Sequence, residues 1–199
     1  MEVNFKHQDP AKVEPIYIEQ VFAEKPGGGL VENPSFDAPP TTAVGEKNGK
    51  FVLIKGYRLV DAVAKADTTI NIAKGSGIAV GDVIGIGKKA VACTAVDTSA
   101  EDKDVVTVTL GVDTSAEDND VVTVTLGVDI DAGTVLYQAK AASADAAEPI
   151  YTPVFVTGNR LKANEGDQSV RLINGANLRK ETANIASEGA ALLPMIALV

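Results

Sequence analysis

Apolar positions along this chain alternate with polar ones at the period of a strand, in short runs closed by glycine, asparagine or aspartate. FVLI at 51–54 follows Asn48-Gly49, a two-residue hairpin signal. A strand is expected within 57–63. TTINI at 68–72 puts Ile70 and Ile72 on one face, and Gly75-Ser76-Gly77 then breaks the run. Val80-Gly81-Asp82 predicts a turn into a strand over 83–86. Over 89–96, Val91, Cys93 and Ala95 are expected to share a face. Strand and turn recur about every ten residues, the rhythm of a small barrel or sandwich.

Two adjoining segments are nearly identical. VDTSAEDKDVVTVTLG at 96–111 is repeated as VDTSAEDNDVVTVTLG at 112–127, differing only in Lys103 against Asn119. Each is an acidic turn followed by one alternating strand, with Val106, Val108 and Leu110 on one side in the first copy and Val122, Val124 and Leu126 in the second. An added antiparallel strand would reverse the direction in which the chain leaves the sheet. One copy is therefore expected to fill a core position and the other to bulge out or add an edge. DIDAGTVLY at 129–137 supplies a further turn and strand. The alanine-rich stretch 140–148 reads as a linker. Strands are expected over 153–156 and 170–173, with Asn174-Gly175 as a hairpin turn into 176–179. Residues 182–191 suit a short helix or a loop, and the apolar end ALLPMIALV is expected to be buried, within the chain or between subunits.

The first forty residues differ in kind. Pro10, Pro15, Pro26, Pro34, Pro39 and Pro40 exclude a long helix and a central strand, and Gly27-Gly28-Gly29 forms a joint. Apolar anchors nevertheless persist, which a disordered tail would lack. The segment reads as an extended arm that docks on another chain, with Val13, Ile16, Tyr17, Phe22 and Phe36 as candidate contacts. The expected architecture is all-β: an arm over 1–44, a small antiparallel barrel or sandwich over 45–140, and a linker with a smaller C-terminal β unit over 141–199.

Composition narrows the function. The formal charge of −9 in 199 residues argues against nucleic acid and against anionic membranes as partners. No apolar run approaches the length of a membrane helix, and the opening MEVNFKHQDP lacks the pattern of a secretory signal, so synthesis in a cytoplasm is expected. One cysteine and one histidine cannot assemble a Cys/His zinc site, and Cys93 lacks a second histidine to activate it. The acidic turns at 97–104 and 113–120 lack the spacing of a calcium loop and read as solvated charges on an edge. The glycines at 75, 77 and 81 lack the spacing of a phosphate loop. No cofactor, metal or catalytic group is expected, and the chain reads as non-enzymatic.

LVDAVA at 59–64, TTINIAKG at 68–75, AVGDVI at 79–84, KAVACTAVDT at 89–98, DVVTVTL at 104–110 and GTVLYQA at 133–139 together resemble the head fibre proteins of tailed bacteriophages. The likeness covers about 57–140, and SVRLING at 169–175 is similar to that family's C-terminal part. It implies a structural virion protein on the capsid surface, bound to the major capsid protein or other capsid proteins and trimeric. The duplicated unit departs from the single copy the family implies. A carbohydrate- or receptor-binding module, recognising a host surface glycan, is the alternative, although aromatics make up only 5% of the chain and tryptophan is absent.

Overall fold

Strands form where β-branched residues alternate, and they end where a residue can take positive φ. In the computed structural model, which describes residues 15–109 and 127–199, these strands build two curled sheets, nearly all of the regular structure. The chain opens with β1 (Ile18–Glu24) and β2 (Gly29–Val31), then the hairpin β3 (Ala43–Lys47) and β4 (Lys50–Leu53). Asn48 and Gly49 have φ of 53° and 78°, the pair of left-handed residues that a tight hairpin requires, and Lys47 pairs with Lys50.

Six strands follow as a wholly antiparallel sheet: β5 (Gly56–Arg58), β6 (Thr69–Ala73), β7 (Val83–Ile86), β8 (Lys89–Asp97), β9 (Lys103–Thr109) and β10 (Val135–Gln138). Their order is β5-β10-β7-β8-β9-β6. A bridge between Leu59 and Ile72, with the Val60 N–H donating to the Asn71 carbonyl at 2.9 Å, draws the two ends of this order together. The sheet therefore curls into a small barrel around Tyr57, Leu59, Ile70, Ile72, Ile84, Val91, Cys93, Val106, Val108 and Leu136. Ile70 and Ile72 face inward as their spacing predicts. Ala95 does not: the register slips between Cys93 and Ala95, and the extra residue turns Ala95 to solvent and Val96 toward the core. The first repeat copy supplies β9, and Val106 and Val108 are fully buried. Leu110 and the second-copy strand lie outside the described residues.

The stretch expected as a linker is folded onto the barrel. Ala90 bridges Ser143, and the Ala147 N–H donates to the Lys88 carbonyl at 2.8 Å. Beyond it come β11 (Phe155–Thr157), β12 (Gln168–Val170), β13 (Leu172–Leu178), the helix α1 (Ser187–Ala191) and β14 (Met195–Leu198). They join the N-terminal strands in one mixed sheet, β1-β13-β11-β3-β4-β2-β12, with β14 parallel to β13. The expected division at 44 and 140 is corrected here: the described part of the arm, 15–44, and the C-terminal unit are a single sheet. Of the five described prolines, Pro15 precedes β1 and the other four sit between strands, so they punctuate the segment without barring it from a sheet. Residues along this sheet alternate between two cores. Ala43 and Ile173 face one, covered by 183–193. Val44 and Leu172 face the other, covered by Phe36 and Ala38.

Asn174-Gly175 is not a turn. Both lie mid-strand in β13, between β1 and β14, and neither has positive φ. A β-carbon at Gly175 would stand 3.1 Å from that of Ala23 and 3.2 Å from Met195 Cε, so the glycine serves close strand approach. The apolar tail is β14 of the chain's own sheet, with Ile196 and Leu198 half-buried and Met195 and Val199 exposed.

Candidate functional site

β1 is the edge of the mixed sheet, paired among the described residues with β13 alone. Its register slips between Ile18 and Gln20 and again between Val21 and Ala23. Bulges re-aim side chains, and here Ile18 and Val21 pack inward while the residue skipped at the second slip, Phe22, turns outward at 52% exposure. Ile16, just before the strand, is 55% exposed. Glu19 and Glu24 on the same strand are answered by Arg179, at 2.7 Å, and by Arg171. The edge thus carries matched surface charge and two unmatched apolar side chains.

Of the five candidate docking residues, Ile16 and Phe22 are presented at this edge. Tyr17 is half-buried and faces a cleft. Val13 lies outside the described residues. Phe36 is corrected: it is 5% exposed, packed in the core with Val31, Ala38, Val44 and Leu161, and its ring abuts Gly77 of the barrel. It ties the two sheets together and is closed to a partner in this fold. Sequence reasoning missed Met195, which is 51% exposed and flanks Gly175 opposite Ala23, on the strand bundle that β1 borders. Its alternation with the inward Ile196 and Leu198 was a usable signal.

The cleft that Tyr17 faces lies where barrel and mixed sheet meet and has a volume of about 340 Å³. Arg58, Lys74 and Ser76 line it from the barrel; Asp37, Pro39, Arg160, Thr182 and Asn184 line it from the mixed sheet. Beneath it runs a buried polar seam. The Thr42 N–H donates to Thr157 Oγ1 at 3.1 Å, the Asn184 N–H to Thr41 Oγ1 at 2.8 Å, and Asn184 Nδ2 to Thr42 Oγ1 at 3.1 Å. Thr41 has φ of 68°, a conformation that a β-branched residue rarely takes and that costs about 1–3 kcal/mol.

A second gathering of ionisable groups lies at the junction itself. Lys55, where the chain crosses into the barrel, places Nζ 2.8 Å from Asp82 and 2.7 Å from the Gly77 carbonyl, and both side chains of the pair are nearly buried. Close by is the Tyr57 hydroxyl, buried without a hydrogen bond of ordinary geometry. Burial pushes the Tyr57 phenol far above its ordinary range, and the Asp82 carboxylate pushes it further. Burial likewise raises the Cys93 thiol, with Asp82 adding to it. A thiol held protonated is a packing group, not a nucleophile.

The acidic turn of the first repeat copy is exposed at Asp97, Glu101 and Asp102. Asp97 accepts the Ser99 N–H at 2.9 Å, which holds its carboxyl below the usual range, and Asp104 pairs with Lys74 at 2.7 Å. The matching acids of the second copy lie outside the described residues. Among the described residues no three His, Cys, Asp or Glu side chains are grouped to hold a metal ion, and no helix is long and apolar enough to cross a membrane. No protein-family model, curated protein or solved structure matches the chain.

Proposed function

We propose that this chain is a structural virion protein, a head fibre or decoration protein of a tailed bacteriophage that attaches to the capsid surface through its N-terminal segment and catalyses nothing. The observation that carries the reading is the open edge of β1. Backbone groups along an unpaired edge accept another strand or extended segment, and Ile16 and Phe22 add apolar contact at that edge. The acidic surface suits dense display, because like-charged copies repel one another. The partners in this reading are the major capsid protein or its neighbours and two further copies of the chain.

The test is co-sedimentation with empty phage shells, with light scattering for the oligomer. Full-length protein is expected to be trimeric and to pellet with shells. Deletion of 1–14 combined with Ile16→Ser and Phe22→Ser is expected to abolish pelleting while circular dichroism stays unchanged. A folded monomer that ignores shells would refute the proposal.

The cleft supports a second reading, in which the body binds a host surface glycan. Beside its charged groups, its walls carry the neutral hydrogen-bonding side chains Ser76, Thr182 and Asn184, with the Tyr17 ring and Pro39 as apolar faces. That lining suits a hydroxyl-rich ligand.

A further inference from the structure

We propose that this cleft selects an acidic saccharide, one bearing a carboxylate or a sulfate ester. The inference rests on the second reading above and is independent of capsid attachment. The volume lies at the small end of the ~300–1,000 Å³ typical of small-molecule sites. It has room for a short saccharide and none for a folded partner.

The charge pattern sets the class of ligand. The chain is acidic, yet the cleft walls carry Arg58, Lys74 and Arg160 against Asp37 alone. Lys74 is already neutralised by Asp104. Asp37 is committed too: it accepts the Ala163 N–H at 2.9 Å and takes Lys162 at 2.8 Å, which hold its carboxyl below the usual range, with Arg160 adding a smaller push from nearby. Among the described residues neither Arg58 nor Arg160 forms a salt bridge; Arg58 lines the cleft from the barrel and Arg160 from the mixed sheet.

Arg58 is fixed in place. Nη1 donates to the Gly133 carbonyl at 2.6 Å and Nη2 to the Ala183 carbonyl, so its planar fork is held by neutral acceptors, with no carboxylate of the described residues in hydrogen-bonding contact. Burial pulls its proton affinity below the ordinary value, with Tyr17 and Glu181 opposing from nearby. A partly desolvated guanidinium of this kind gains more from an incoming anion than an exposed one does. The wall beside it is rigid, because Asn184 is held by Thr41 and Thr42 in the strained buried seam. One pre-positioned cation, a second contributed by the other sheet, and neutral hydroxyl and amide groups in the same lining match a sugar ring with one anionic substituent. A bare phosphate would use the cations and leave the Tyr17 ring, Pro39 and the neutral part of the lining uncovered.

The test is calorimetric titration of the full chain with sialyllactose, a 6-sulfated galactose disaccharide, lactose and inorganic sulfate, alongside shell co-sedimentation. One or both acidic sugars are expected to bind at least about tenfold more tightly than lactose and than inorganic sulfate, and the preferred arm identifies the acid. Arg160→Ala, an exposed position, is expected to weaken that binding about tenfold, the loss of one charge-assisted contact, without shifting the unfolding midpoint. Lactose binding as tightly as the acidic sugars would overturn the acidic class and leave the glycan reading standing. Inorganic sulfate binding as tightly would overturn the saccharide. Binding indifferent to Arg160→Ala would overturn the site. No binding by any probe would overturn the inference and the glycan reading together, while shell binding reports separately on attachment.

Discussion

Replacing Tyr57 by Phe removes one oxygen from the middle of the barrel and leaves the ring packing in place. The ring is completely buried and its hydroxyl lacks a hydrogen bond of ordinary geometry. A buried polar group left unsatisfied costs about 1–3 kcal/mol, so Tyr57→Phe is expected to stabilise the fold by about 1 kcal/mol at pH 7, read as a higher urea midpoint with unchanged slope. A second signature comes from proton linkage. The folded phenol is raised far above its unfolded value of about 10. Both states are protonated below that value, so the contribution is fully present there. As pH climbs past about 10 the unfolded chain loses the proton and the folded one keeps it, so wild-type stability falls. The phenylalanine variant lacks this loss. The gap between the two proteins is therefore expected to widen by about 1.4 kcal/mol between pH 9 and pH 11. Titration of the other tyrosines and the lysines cancels in the comparison. A variant less stable than wild type by 1 kcal/mol or so would mean that the hydroxyl has a strong partner, with Asp82 the nearest candidate. A gap that stays flat across the alkaline range would refute the burial argument.

Phe36→Ala is expected to cost about 3–5 kcal/mol in chemical denaturation, because the ring fills the core between the sheets; Phe22→Ala at the exposed edge is expected to change stability by less than about 0.5 kcal/mol. Lys55→Met leaves Asp82 nearly buried without its counter-charge and is expected to destabilise by about 3–5 kcal/mol, most of it restored when Asp82→Asn is added; a double variant no better than the single would count against the pair. Deleting 112–127 is expected to leave the midpoint within about 0.5 kcal/mol of wild type, because the first copy already occupies the slot between β8 and β6 and Gly111-Val128 recreates the Gly127-Val128 junction. Deleting 96–111 instead yields the same chain with Asn in place of Lys103, which forfeits only the exposed pair with Asp61 at 3.0 Å, worth less than about 1 kcal/mol. Collapse of either deletion would show that the two copies are not interchangeable.

Local patterns were most legible where one short segment decides its own geometry. Asn48-Gly49 turns as its side-chain chemistry demands, and Ile70 with Ile72 faces the core as period-two spacing requires. The same dipeptide at 174–175 misleads because the demand there is tertiary: a neighbouring strand comes close enough to exclude a side chain. Ala95 misleads because a single bulge inverts every face after it. The proline-rich start reads as an arm because its first strand has no partner within reach in sequence; β1 pairs with β13 more than 140 residues away, as the Arg171–Glu24 contact across 147 residues illustrates. Arg58 and Arg160 were invisible as a pair for the same reason.

By itself the sequence determined that this chain would be a strand protein and where most of its turns would fall. Alternation specifies which face of a strand is apolar, and turn residues specify where a strand stops; both act over a few neighbouring residues. Only the tertiary structure decided that strands from both halves of the chain share a sheet, that β1 lies at its edge among the described residues, that Phe36 is interior, and that a cleft lined by Arg58 and Arg160 opens at the junction. A strand's backbone can hydrogen-bond to almost any other strand, so the neighbour it takes is settled by the packing of the whole fold and not by the strand's own residues.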